Sequence, residues 1–502
     1  MKKCVAVFLS ALALCGCGKK FSISEAELAD KIKGGWAGQF IGCAYGGPTE
    51  FKYVNAIIPP EAKLGYPETE PLADGEFGGL YDDVYMDAAF LSVLEQRGLS
   101  APREAFAKAV AEAPFQLWCA NKAARFEFLD GYMIGEPASW RRNPNSNDID
   151  FQIEADFAGL VSPAMPNAAI SFCETVGRIF NSGEGYYCGA CVAAMYSLAF
   201  KTSSPREIVG GAAEILPKKS YARALLCQIM DAHKKSPNDW RAAWQIVSRQ
   251  YGSPKRTFGK DMLYAPYNLA YVAIGLLYGG GDFEKTIDIA TRCGLDSDCN
   301  PATAGGILGA ALGYSRIPIK FRRPLELAEN KPICGVKYTP ATLYAAGLKV
   351  ALEVLKKNGA EFSGGHIRVP CPPAKRVAFE APAPRMKIAR TQKISLGAGG
   401  ETAVKFSERG VEVFVYGYTL KNKKLAQTAP MRGEIARLGV SINGAPKRGA
   451  KFFGDAHRVE RKFAFADFDL ARGEKTISLS FAKTNPLAAD FECELRFYEP
   501  AQ

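Results

Sequence analysis

The sequence predicts a multidomain protein, with an all-α domain over residues 22–357 followed by a C-terminal antiparallel β-sandwich over residues 385–502. Two changes of pattern predict this. Apolar residues recur at helical spacing as far as Leu355, and from Val411 onward they alternate with a period of two. Between these regions, residues 358–384 carry Gly364, Gly365, Pro370, Pro372, Pro373, Pro382 and Pro384, the composition of a linker. With 502 residues, 48% hydrophobic and 23% charged, the chain has the size and make-up to bury separate cores.

Residues 1–17 form an export signal. Lys2 and Lys3 supply the positive start, and Val5 to Leu14 form an apolar run too short to span a bilayer. Leu14-Cys15-Gly16-Cys17 resembles the lipobox of bacterial lipoproteins, which makes Cys17 the expected mature N-terminus and the site of a membrane-anchoring lipid. The expected location is the bacterial cell envelope, facing the periplasm or the outer surface. An ordinary secretory peptide cut nearby is the alternative.

The net charge of +11 is spread along the chain without a dense basic run and interleaved aromatics, so no nucleic-acid partner is expected. Of fourteen cysteines, Cys4 and Cys15 leave with the signal and the others form no compact disulfide framework. Cys188 and Cys191 have redox-motif spacing but lie in an apolar small-residue helix pattern, which points to core packing. Three histidines, His233, His366 and His457, poorly supply a Ser-His-Asp or Cys-His arrangement or a histidine-rich zinc site. Chemistry, if present, must run on carboxylates.

In chain order, Ser22 to Lys33 reads as a helix with Ser22 or Ser24 as its cap. It leads into Gly34, Gly35, Gly38 and Gly42, spaced for close helix packing or approach to a ligand, and then to Glu50 after the Gly46-Gly47-Pro48 turn. Asp82 and Asp83 open a helix that ends at Gly98. Ile149, Ile153, Phe157 and Leu160 predict one helical stripe, with Asp150 and Glu154 sharing another face. Phe172 to Phe200 and Leu263 to Tyr278 continue as apolar helices, and Thr339 and Pro340 open the last one. In the C-terminal part, Val411-Val413-Val415, Ile477-Leu479-Phe481 and Phe491-Cys493-Leu495-Phe497 each mark one face of a strand, and Asn443-Gly444 marks a hairpin.

The second acidic pair, Asp296 and Asp298, precedes an Ala/Gly-rich helix for which Asn300 is the expected N-cap and Pro301 the first residue. The spacing of Asp296, Asp298 and Asn300 is similar to the start of a calcium loop, but Pro301 and Ile307 stand where that loop needs Gly and Glu. A solvated acidic cap explains either pair alone. Two pairs at two helix entrances make a four-carboxylate cage for a hard divalent cation.

Taken together, the glycine-rich segment ending in Glu50, the Asp82-Asp83 helix start and the run GLDSDCNPATAGGILGAALG resemble the ADP-ribosylglycohydrolase family over roughly residues 24 to 355. The resemblance implies an all-α fold and a cleft holding one or two divalent ions, Mg²⁺ first with Mn²⁺ or Ca²⁺ as alternatives. It implies Asp82, Asp83, Asp296 and Asp298 as metal ligands and Glu50 as the catalytic carboxylate. Asp150, Gln152, Glu154 and Asn300 are the expected substrate-binding residues. The family's pattern has Thr or Ser, Thr, Thr and Asp where this chain has Tyr81, Val84, Cys299 and Gln39. The implied activity is metal-dependent hydrolysis of an N- or O-glycosidic bond in an ADP-ribosyl or related glycosyl substrate. Export and an appended β domain fit a glycan-cleaving hydrolase on the same scaffold, and the four departures fit a non-catalytic ligand-binding lipoprotein.

Overall fold

The structure, a computed structural model, describes residues 21–66, 81–131, 138–252, 261–382, 384–416, 431–454, 461 and 463–501. The leader with Cys17 lies outside these residues, as does the segment from Gly75 to Leu80. A short strand, β1 (Phe21–Ser24), is followed by α1 (Glu25–Gly46), α2 (Asp82–Arg97), α3 (Arg103–Glu112) and α4 (Cys119–Asp130). Two short helices, α5 (Asp150–Ile153) and α6 (Asp156–Leu160), precede α7 (Pro166–Val176), α8 (Gly183–Ala199) and α9 (Pro205–Ala213). Then come α10 (Tyr221–Lys235), α11 (Trp240–Ser248), α12 (Ala265–Gly279), α13 (Phe283–Arg292), α14 (Cys299–Leu312), α15 (Ile319–Leu327) and α16 (Pro340–Lys357). Among the described residues, no helix is long and apolar enough to cross a membrane.

Local chemistry sets the helix ends. Ser24 accepts a hydrogen bond from Glu27 N–H at 3.1 Å and starts α1. Thr339 caps α16 with Pro340 at its first position, as the sequence predicts, and α2 stops at Gly98. Cys188 and Cys191 are buried free thiols within α8.

At the centre α1 and α14 run antiparallel with almost nothing between their backbones. A Cβ at Gly38 would lie 2.2 Å from the Gly305 carbonyl oxygen, and one at Gly42 2.2 Å from that of Pro301. Gly34 meets Gly309 and Gly46 meets Ser297 in the same way, so every fourth residue of α1 is a point of backbone approach.

Two expectations are corrected. The stripe from Ile149 to Leu160 is two helices, because Phe157 N–H donates to Asp87 Oδ1 at 3.1 Å and Asp150 and Glu154 are both held by α4. Asn300 is not the N-cap of α14; Asp298 is, and Asn300 N–H already donates to the Asp296 carbonyl at 3.1 Å. Pro301 still falls in the first turn, where its missing N–H has no helical partner to lose.

Beyond α16, the stretch 358–384 is structured in part. Strands β2 (Glu361–Ser363) and β3 (His366–Val369) join β1 in an antiparallel sheet of order β1-β3-β2. The remaining strands are β4 (Met386–Leu396), β5 (Glu401–Phe406), β6 (Gly410–Val415), β7 (Met431–Ile442), β8 (Ala445–Gly454), β9 (Phe463–Asp467), β10 (Lys475–Lys483) and β11 (Phe491–Pro500). They form two antiparallel sheets of order β5-β10-β7-β8 and β4-β11-β6-β9, and both contribute to one apolar cluster. The alternating residues predicted from the sequence lie in that cluster, among them Val413, Leu479 and Leu495. Asn443 and Gly444, with φ of 51° and 73°, turn β7 into β8.

The sheets are pinned to the helices by a fully buried ion pair. Arg461 donates to both carboxylate oxygens of Asp130 at the end of α4, at 3.0 and 2.6 Å, with Phe126 and Phe452 rings beside it. Lys451 N–H of β8 donates to the same carboxylate at 2.8 Å.

The close approach of α1 and α14 is testable. Gly38→Ala is expected to lower stability by about 1–3 kcal/mol, the usual cost of overpacking, because its Cβ would strike backbone rather than a movable side chain. An unchanged denaturation midpoint would show that the two helices separate freely.

Candidate functional site

Three segments meet at the end of α1. The first is the start of α2, where Tyr81 is the N-cap residue and Asp82 and Asp83 occupy the first turn. Asp83 is fully buried, and its N–H donates to Asp82 Oδ1 at 3.1 Å. The second is the loop from Cys293 to Asp298. Gly294 and Leu295 take φ of 77° and 59°, so a buried leucine is held in a left-handed conformation that L side chains avoid.

The third segment, carrying Glu50, locks that loop. Leu295 N–H donates to the Tyr53 carbonyl and Phe51 N–H to the Leu295 carbonyl, each at 3.0 Å. Thr49 Oγ1 lies 2.9 Å from Ser297 Oγ and donates to the Gly46 carbonyl at 2.8 Å. The residue between the two aspartates thus ties their loop to the one presenting Glu50.

Cys299 sits where the two acidic pairs meet. Asp82, Asp83 and Cys299 offer ligand atoms within 4.8 Å of one another, and so do Asp296, Asp298 and Cys299. A second thiol, Cys43 of α1, approaches Asp83 Oδ2 at 3.4 Å. The sequence marks Cys299 as a departure from the family's motif, whereas Cys43 lies one helical turn from Gln39 with nothing local to mark it.

Electrostatically the arrangement is unbalanced. Burial first, then the Asp298 charge, pushes Asp82 well above the usual carboxylate range. Asp83 and Asp296 are raised likewise, by burial first and by Asp82 and Asp298 respectively. Glu50 is raised by desolvation and by Asp298, although the residue itself is exposed and water there screens part of both effects. Asp83 Oδ1, Asp296 Oδ1 and Asp298 Oδ1 are buried with no hydrogen-bond partner. Orphaned, crowded oxygens of this kind fit a divalent cation, which would satisfy them and offset their repulsion together.

The expected substrate residues divide. Asp150 accepts from the N–H groups of Ala120 and Asn121 at 3.1 and 3.2 Å, and so closes the N-terminus of α4. Glu154 accepts from the Asn121 side-chain amide, and Asn300 donates to Asn268 Oδ1 at 2.9 Å. Gln152 differs, being fully buried with both amide atoms unpartnered. Deeper lies a network the sequence did not reveal. Gln39 Nε2 donates to Asp87 Oδ2 at 3.0 Å and to Asp156 Oδ2 at 2.6 Å, and Tyr196 OH donates to the same Asp156 oxygen at 2.6 Å.

The model of the ADP-ribosylglycohydrolase family matches residues 24–346. This chain belongs to the ADP-ribosylglycohydrolase family. A solved structure described as an "ADP-ribosylglycohydrolase-related protein complex" is 16% identical, with a TM-score of 0.41, over 66% of this chain and 99% of that one. Comparison with curated proteins finds no match. Membership supports a glycohydrolase-type hydrolase.

In this ADP-ribosylglycohydrolase family member, the four positions named above as departures divide into two pairs. Val84 is fully buried in the helical core, and the Tyr81 ring packs 5.9 Å from Phe40, so both positions are given over to packing. Cys299 and Gln39 remain polar and directed into the carboxylate clusters.

The raised carboxyls give the metal-free protein a definite pH dependence. A carboxyl whose folded pKa exceeds its unfolded value keeps a proton that the unfolded chain has lost, so stability falls as pH rises between the two values. Asp150 and Asp156, raised from 3.8 to about 7, set a window from about pH 4 to about pH 7. In chelator the melting temperature is expected to fall across that window. Asp83→Asn should make the fall shallower and shrink the stabilisation gained from added divalent cation. A melting temperature that climbs across the window would contradict the buried, uncompensated cluster.

Proposed function

We propose that the helical domain is a metal-dependent hydrolase of a glycosidic bond in an ADP-ribosyl or related glycosyl substrate. The observation that carries this is the convergence of Asp82, Asp83, Asp296 and Asp298, with orphaned oxygens, beside an exposed carboxylate on a locked loop. Glycosyl transfer to water develops positive charge on the sugar and needs a base for the water and an acid for the leaving group. A bound divalent cation would supply orientation of sugar hydroxyls and water and would offset the carboxylate charge.

Glu50 is the residue we assign to proton transfer. Its raised carboxyl, facing solvent, holds a proton that it donates to the departing atom as the glycosidic bond breaks, and the carboxylate left behind takes the proton of the attacking water, which restores the acid. Gln152 keeps unspent hydrogen-bonding capacity for substrate, whereas Asp150, Glu154 and Asn300 spend at least part of theirs on α4 and α12. The two C-terminal sheets, which share one apolar cluster, we read as a β-sandwich.

Release of free sugar from a panel of ADP-ribose conjugates and glycans, with and without chelator, is the decisive measurement. Metal-dependent release that Asp296→Ala lowers by about a hundredfold or more, a drop of the size seen when a central electrostatic group is removed, is the expected result. Release from glycans alone would move the substrate to the extracellular reading, and no release from either class would leave a ligand-binding protein.

We also propose that the chain is exported and lipid-anchored through Cys17, on the strength of its charged, apolar and small-residue leader. Fatty-acid labelling of the expressed protein should vanish in Cys17→Ser. Labelling that persists in that variant would refute the anchor.

A further inference from the structure

We propose that the cation site is a mixed oxygen and sulfur site in which Cys299 Sγ is itself a ligand, so that it is built for a thiophilic divalent ion, zinc above all, rather than for magnesium. This inference rests on the metal-cage reading above and deepens it by naming the chemistry of the ion.

The position of the thiol carries the argument. Cys299 is the member common to both ligand groups, with Sγ within 4.8 Å of a carboxylate oxygen from each of Asp82, Asp83, Asp296 and Asp298. Two ligand atoms on one zinc lie no more than about 4.4 Å apart, the sum of a Zn–S and a Zn–O bond, so small side-chain rotations bring either group of three onto one ion, with Cys299 in both. An ion drawn to the orphaned oxygens Asp83 Oδ1, Asp296 Oδ1 and Asp298 Oδ1 therefore has the sulfur among its neighbours.

Magnesium and calcium are hard ions that take oxygen, whereas thiolate selects zinc and its softer relatives. A sulfur between the two acidic pairs thus removes a good magnesium donor and adds a good zinc donor at one position. On binding, the S–H bond breaks, Sγ keeps the electron pair that it gives to the metal, and the proton leaves to solvent. Cys43 also reaches Asp83, at 3.4 Å from Oδ2, but falls in neither ligand group, so it supports the carboxylate and does not bind.

Most protein sites bind zinc more tightly than harder ions of the same charge, so the informative comparison is between variants. Purified protein stripped of metal is titrated with Zn²⁺, Mg²⁺ and Co²⁺, following binding by calorimetry and the cobalt spectrum. Wild type should show a thiolate-to-cobalt charge-transfer band in the near ultraviolet. Cys299→Ser should lose the band and lower the ratio of zinc to magnesium affinity by about tenfold or more, at least what removing an outer partner of a ligand costs. Cys43→Ser should keep both, and circular dichroism on each variant shows that the fold is retained. If Cys299→Ser misfolds, Cys299→Ala and the wild-type cobalt spectrum carry the same test.

A wild-type protein that binds cobalt with no charge-transfer band, or a band lost with Cys43 and kept without Cys299, overturns the proposal while leaving the carboxylate cage intact. A protein that binds none of the three ions overturns the cage and the sulfur ligand together.

Discussion

The contact on which the rest of the molecule depends is the backbone-to-backbone approach of α1 and α14. Helices joined by ordinary side chains sit 8–10 Å apart, but here Gly38 faces Gly305 and Gly42 faces Pro301 with no room for a Cβ. The approach continues to the last turn of α1, where Gly46 meets Ser297 between the two aspartates of the second pair. At the opposite end, buried Lys31 donates to the carbonyls of Ala311 and Ala199, closing the C-termini of α14 and α8. The helix pair is thus fixed at both ends, and the loops that leave it toward Glu50 and arrive from Leu295 inherit its register.

Two groups of buried acids lie one helical turn apart on α2, and their surroundings separate their roles. Asp87 and Asp156 are knit together by Gln39, Tyr196 and the Phe157 N–H, so their negative character is met by donors and by protons retained on the raised carboxyls. Asp83, Asp296 and Asp298 each keep a buried oxygen with no donor at all. Four donated hydrogen bonds and the retained protons make the first group a strut, in which Asp156 Oδ1 alone of the four carboxylate oxygens has no partner. The second group has fewer donors around it, so its raised carboxyls carry more of the strain, and a divalent cation held there would offset their crowding.

Much of this was legible in the sequence where the signal is local. The Asp82-Asp83 helix start, the Thr339-Pro340 opening of α16, the Gly98 stop and the Asn443-Gly444 turn depend on neighbours along the chain, and each stands where the pattern places it. What escaped is what depends on distant partners. The α5 and α6 break comes from Asp87 taking the Phe157 N–H across the core, and the shift of the α14 cap from Asn300 to Asp298 comes from the way the loop is held by Tyr53 and Phe51. Cys43 and Thr49 look ordinary in the sequence and acquire meaning only against Asp83 and Ser297. The proline-rich seam likewise hides β3, and with it β2, because β3 pairs on its other edge with β1, more than three hundred residues away.

The C-terminal sheets enter the same argument through α4. The far end of that helix is held by Arg461 and Lys451 of the sheet domain acting on Asp130. Its near end is closed by Asp150, and its Asn121 holds Glu154, two acids that both feel the charge of Asp82 or impose theirs on it. A helix gripped at both ends transmits position with little loss, since its own hydrogen bonds resist extension. The buried Arg461–Asp130 pair is costly to separate, because parting it leaves two uncompensated charges where water does not reach. The sheets are therefore part of the frame that sets one wall of the acidic site, which explains why a domain outside the family match is joined to the helices by a buried charge rather than by a free linker.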